Sequence, residues 1–174
     1  RMVDDLIGRR SIGPSDIELI CTLNEGNELD EGRYRLQPSP VQADKVNNAA
    51  ALACLGSARG RARVLRALTS ADDQEVRIAQ VYLSHRPMTD VDELRVVASG
   101  ITRMAGTGAQ VRALDTLARH RLSDRQSLDE LARFFPSAGS VDVQRAIAAV
   151  LIRADYQAIA KPEVARVLSQ YRLK

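Results

Sequence analysis

"ADDQEVRIAQVYLSHR", Ala71 to Arg86, and "GTGAQVRALDTLARHR", Gly106 to Arg121, begin 35 residues apart and follow one plan. Each sets Val-Arg at the head of an apolar stripe and His-Arg nine residues after the Val. Apolar residues recurring at steps of three and four define one face of a helix. Two such helices in register allow two readings: a doubled site of histidines and arginines, or a repeat whose purpose is architectural.

The register extends beyond these two copies. Taking Val46, Val76, Val111 and Val143 as anchors gives spacings of 30, 35 and 32 residues. One position on stand Asn47, Arg77, Arg112 and Gln144, all polar; three positions on stand Ala49, Ala79, Leu114 and Ala146, all apolar. At plus nine come Leu55, His85, His120 and Ile152, and at plus ten Gly56, Arg86, Arg121 and Arg153. A second helical series lies between, in "ARVLRAL", "VDELRVVASGI", "SLDELARFF" and "PEVARVLSQY".

The unit is therefore a helix pair of 30–35 residues present about four times. One pair cannot bury both apolar faces, so neighbours must stack. Turn signals separate the stripes, with N-caps expected at Asp44, Asp73, Asp90, Asp124 and Ser140. Gly56 and Gly106 suit left-handed positions at helix C-termini. No strand alternation appears. The expected fold is all-α: an α-solenoid, a right-handed superhelix of about four pairs, preceded by an irregular helical segment. Val76, Ala79, Leu83, Val111, Leu114, Leu117, Ile147 and Leu151 are its expected core. A large side chain at Ala79 or Ala146 should overpack it.

"VNNAAALACLGSARGRARVLRALTSADDQEVRIAQVYL" resembles the HEAT repeat, in the short form found in phycobilisome-lyase proteins and many bacterial proteins. Asp73, Val76, Arg77 and Ala79 match its loop acid, Val-Arg and alanine-rich turn; Val111-Arg112 keeps the dipeptide, and Val143-Gln144 loses the Arg. The resemblance covers about residues 44–158. It implies that Arg77 and Arg112 join an inter-repeat polar ladder, with Asp72 or Asp73 as acceptors.

Composition agrees with helices. The chain of 174 residues is 45% apolar and only 3% aromatic, with no Trp. Small side chains favour close helix packing over a sheet. Net charge is +3, but residues 1–43 carry −3 and residues 44–174 carry +6, almost all of it from Arg. These arginines read as interspersed with Asp and Glu and forming no cluster. Cys21 and Cys54 lack CxxC spacing and read as isolated thiols, Cys54 as a small core residue, leaving the redox compartment undetermined. No stretch approaches a membrane span or signal peptide, which suits a cytoplasmic protein.

Residues 1–43 read as a helical cap or linker, with candidate helices in "MVDDLIGRR" and "PSDIELICTL" and a long loop at about 24–40. A first residue other than Met suggests a fragment of a larger bacterial protein, with solenoid residues 44–174 following the cap.

Chemistry is sparse. Stacked helices would hold His85 and His120 about 10 Å apart, too far to share one metal ion, and Leu55 and Ile152 fill the same register. No metal site or cofactor is expected. The acidic "NEGNELDEG" lacks the spacing of a calcium loop, and Gly106-Thr107-Gly108 follows no strand. No nucleophile sits in register with a histidine. Arg86, Arg121 and Arg153 could form a basic row along successive helices, flanked by His85 and His120 and joined by Arg77 and Arg112. The expected function is thus a non-catalytic interaction or scaffold module that presents Arg and His to an acidic or helical protein partner, without a membrane role. Two alternatives are a nucleic-acid-binding domain similar to HEAT-like repair proteins and a bilin lyase-like enzyme. The scarcity of aromatics disfavours the last.

Overall fold

A helix forms where the chain can both satisfy its first amides and bury one face, and the caps of this protein mark those places. In the computed structural model, residues 12–24 and 44–154 are described. "MVDDLIGRR", nearly all of the acidic loop and "KPEVARVLSQYRLK" lie outside them. Among the described residues there are eight α-helices, a single 3₁₀ turn at Phe135–Ser137 and no strand. The all-α expectation holds.

The chain divides between Pro87 and Met88 into two compact units. The first contains α1 (Pro14–Leu23), α2 (Val46–Cys54), α3 (Ala58–Ala67) and α4 (Asp73–His85). Pro14 opens α1 at its first helical turn, where the missing amide costs nothing, and the Asp16 carboxylate accepts from the Gly13 amide at 2.9 Å. α1 packs on α2 and α4, burying Ile17, Ile20 and Cys21 completely. Each such isoleucine contributes about 1.5–3 kcal/mol.

α2 and α3 form a hairpin across Leu55–Ser57. Gly56 takes φ 97°, the left-handed conformation expected of it. Ser57 caps α3 by accepting from the Gly60 amide at 3.0 Å. The two helices approach so closely that a Cβ at Gly60 would lie 2.6 Å from the Ala49 carbonyl oxygen. Asp72, not Asp73, caps α4, accepting from the Gln74 amide at 2.9 Å, and Lys45, not Asp44, occupies the N-cap of α2.

Cys21 and Cys54 are not isolated thiols. They form a disulfide with a Cα–Cα distance of 4.7 Å, tying α1 to α2. The two residues are 33 apart in sequence, and only the packing of α1 across α2 brings them together.

The second unit holds α5 (Val91–Thr102), α6 (Thr107–Ala118), α7 (Arg125–Phe134) and α8 (Val141–Arg153). α5 packs on α7 and α6 on α8, like helix against like. Asp90 and Asp124 cap α5 and α7, while Gly106 and Ser140 cap α6 and α8, and both intervals are 34 residues. Gly106, expected at a helix C-terminus, thus opens α6 with an ordinary φ of −92°.

Side chains keep the same interval. Gln110 Nε2 donates to the Ile101 carbonyl at 3.0 Å, and Gln144 Nε2 donates to the Phe135 carbonyl at 3.3 Å. Each buried amide thereby satisfies a carbonyl at the C-terminal end of the preceding helix. In this register Val76 corresponds to Gln110 and Gln144, rather than to Val111 and Val143. The other expected core residues are buried, but Val111 is only half-buried because Gln110 takes the inward position.

Candidate functional site

Of the seven residues singled out from the sequence, Arg77, His85 and Arg86 belong to the first unit and Arg112, His120, Arg121 and Arg153 to the second. Arg86 is half-buried in the first unit. Its Nη2 donates to the carbonyls of Cys21 and Asn24 at 3.2 Å each and of Cys54 at 3.3 Å, and its Nη1 donates to the His85 carbonyl at 3.3 Å. These carbonyls belong to the C-terminal turns of α1, α2 and α4. A cation there answers both their unmet hydrogen bonds and the negative ends of the helix dipoles. Arg86 is an internal clamp.

Arg121 and Arg153 are exposed in the second unit. Arg121 has φ 46°, the only positive φ outside glycine among the described residues, and lies just beyond the end of α6. Arg153 ends α8. His85 lies half-buried in the last turn of α4. His120 Nδ1 donates to the Thr116 carbonyl at 2.9 Å, and Nε2 is buried without a hydrogen-bond partner among the described residues. Ile152, expected from the sequence to share the histidine register, is exposed. Arg77 is exposed, while Asp72 is engaged as the α4 cap.

Polar links between helices also run through residues outside the seven. Arg63 Nη2 donates to Glu75 Oε1 at 2.8 Å, joining α3 to α4. Arg95 joins α5 to the cap of α7 through two bonds to Asp124, at 3.0 and 2.9 Å. The Arg95 guanidinium, seconded by the Ser127 hydroxyl and amide, pulls the Asp124 carboxyl down to a pKa of about 2 against the opposing effect of burial. Asp124 in turn raises the Arg95 pKa.

Among the described residues, each unit has a concavity that is a candidate site. In the second unit, Gly108, Val111 and Arg112 of α6 and Arg145, Ala146 and Ala149 of α8 line an open groove of about 530 Å³. Asp115 and Asp142 complete its walls, so acids and bases are balanced. Arg112, one of the seven, is thereby placed in a groove, opposite an Arg145 that the sequence reading passed over.

The first unit has a cleft of a different character. α3 reads "ARGRARVLRA": four arginines and no acid in ten residues. This is a cluster, contrary to the reading of the arginines as dispersed. Arg61 turns inward, donating to Tyr82 Oη and the Arg86 carbonyl at 3.0 Å each and to the Pro87 carbonyl at 3.2 Å, with its guanidinium 5.7 Å from the Tyr82 ring centroid. Arg59, Arg63 and Arg66 instead line a cavity of about 280 Å³ with Asp44, Leu52, Ser57 and Gly60. Steps of four and three put these three cations on one helix face. Their spacing in sequence was the available signal, hidden by summing charge over all of residues 44–174.

Asp44 sits at the edge of this cleft. Its main-chain carbonyl accepts from Arg63 Nε at 2.8 Å, while its carboxylate stands 3.8 Å from Arg63 Nε and 4.0 Å from Arg66 Nη2. Among the described residues no group of three or more His, Cys, Asp and Glu could hold a metal ion, and no helix is long and apolar enough to cross a membrane. No family model, curated protein or solved structure matches the chain.

Proposed function

We propose that this protein is a non-catalytic interaction module, a stack of HEAT-like helix pairs that offers an arginine-bearing surface to an acidic protein partner. The observation that carries the reading is α3, whose four arginines are set without a single acid and three of which converge on one cleft. Like-on-like packing at a 34-residue interval in the second unit supports the stacked-pair architecture. The row of Arg86, Arg121 and Arg153 is not part of this proposal, since Arg86 is committed to the ends of three helices.

The test is capture of partners from a lysate by the wild-type chain and by an Arg59→Glu/Arg66→Glu variant, at matched thermal stability. Partners that are acidic and lost from the variant support the reading; an identical catch from both sinks it.

A second reading bears on where this happens. Disulfides persist in oxidising compartments and are rare in the cytosol, so the Cys21–Cys54 bond favours an exported protein over the cytoplasmic one suggested by the sequence. Thiol trapping in intact cells decides between them: full alkylation of both cysteines without added reductant restores the cytoplasmic placement.

A further inference from the structure

We infer that the α2–α3 cleft is a docking site for the carboxylates of an Asp/Glu-rich polypeptide segment, and that Asp44 is a resident competitor for it. The inference deepens the proposed function and rests on it.

Three features of the cleft lead there. Its wall is closely packed: Gly60 brings α3 against the Ala49 carbonyl, and Ser57 caps the first turn of the helix. Its charge is graded. Arg63 is anchored by Glu75 and the Asp44 carbonyl, whereas Arg59 and Arg66 are exposed, seven residues apart on the same face. That interval is about 10 Å along a helix, between the roughly 7 and 13 Å that separate same-face side chains two and four residues apart in an extended peptide, a difference that long arginine side chains can take up. Two acidic side chains at such a separation would meet one guanidinium each.

The third feature is Asp44 itself. A polypeptide carboxylate already lies beside Arg63 and Arg66, yet at 3.8 and 4.0 Å it is beyond hydrogen-bond distance of both. Its side chain is 72% exposed. A carboxylate so loosely held has little to lose on displacement, because exposed ion pairs are worth little in water. An incoming carboxylate able to reach hydrogen-bond distance of the same guanidinium groups gains charge-assisted, directional bonds that Asp44 does not make.

Duplex or single-stranded nucleic acid fits less well. Strong electrostatic binding of DNA draws on about 6–10 phosphate contacts, and this cleft offers three arginines, one already engaged. None of its lining residues is aromatic, so it has no stacking platform.

The experiment is fluorescence anisotropy with a labelled ten-residue peptide of alternating Asp and Glu, a Ser/Gln peptide of the same length, and a labelled 20-base-pair duplex. Wild type is compared with Arg59→Glu/Arg66→Glu, Asp44→Asn and, in the other groove, Arg112→Glu/Arg145→Glu; melting curves establish that each is folded. The acidic peptide should bind wild type in preference to the Ser/Gln peptide. Asp44→Asn should bind it roughly threefold more tightly, the scale of one exposed ion pair. Arg59→Glu/Arg66→Glu should weaken it at least tenfold, and Arg112→Glu/Arg145→Glu should leave it unchanged.

Loss of binding only in Arg112→Glu/Arg145→Glu overturns the cleft and leaves the acidic-partner module intact, with its site moved. An Asp44→Asn variant no tighter than wild type overturns the competitor role. Failure of wild type to prefer the acidic peptide, with or without binding of the duplex, overturns both the cleft and the acidic-partner reading on which it rests.

Discussion

Arg95 holds Asp124 by two hydrogen bonds, Nε to Oδ2 at 3.0 Å and Nη2 to Oδ1 at 2.9 Å, while Asp124 also accepts from the Ser127 amide and hydroxyl at 3.1 and 2.7 Å. One carboxylate therefore caps α7 and ties it to α5.

This arrangement predicts a pH dependence of known sign. The carboxyl titrates near 2 in the folded chain and from 3.8 when unperturbed. Lowering of the folded pKa means that the stabilisation is complete above the unfolded value and is lost as pH falls through the folded one. Its size is about 2 kcal/mol. Urea melts of wild type and Asp124→Asn should differ most near neutral pH and converge below about pH 2. A difference that is constant across this range would disprove the linkage.

Arg121 should be improvable. It holds φ 46°, a conformation that costs a non-glycine residue about 1 kcal/mol. Arg121→Gly is expected to leave stability unchanged or raise it by up to about 1 kcal/mol, the relieved strain being partly offset by a more flexible unfolded chain. Arg121→Val should destabilise, since a β-branched side chain is least tolerant of positive φ. Thermal melts of both variants check the order.

At Gly60 the expectation is opposite. A methyl group would meet the Ala49 carbonyl oxygen at 2.6 Å and the Ala53 amide nitrogen at 3.0 Å, both main-chain atoms that cannot rotate away. Gly60→Ala gains helix propensity but forces α2 and α3 apart, at a net cost of about 1–3 kcal/mol. An unchanged melting temperature would show that the hairpin is looser than its geometry indicates.

Removing the disulfide should destabilise the first unit. A cross-link closing a loop of 33 residues stabilises by about 4 kcal/mol in the chain-entropy account, with measured values commonly lower. Cys21→Ser/Cys54→Ser and chemically reduced wild type should each lose about 2–4 kcal/mol by denaturant unfolding. Intact-mass measurement after alkylation under native, non-reducing conditions should find neither thiol modified.

Local rules made much of this fold legible. Asp90, Asp124 and Ser140 cap helices where expected, and Gly56 turns left-handed where a helix must end. The misplaced features are those decided by partners distant in sequence. Val111 carries the most conspicuous dipeptide, yet Gln110 faces inward because a carbonyl nine residues earlier needs a donor. Cys21 and Cys54 carry no pairing signal, since packing of α1 on α2 aligns them. Arg86 reads as a surface cation at a helix end, but it gathers carbonyls from residues up to 65 positions away. The arginines of α3 were visible in order but not in direction; only the fold separates inward Arg61 from Arg59, Arg63 and Arg66 at the cleft.

Arg86 has a consequence for how the first unit comes apart. One guanidinium serves the terminal carbonyls of α1, α2 and α4, so fraying at any of those ends withdraws an acceptor from the group that restrains the other two. The three ends are coupled as one cooperative block. Amides in their last turns should exchange with solvent at similar rates despite their scattered places along the chain, and replacing Arg86 with Met should let those rates diverge.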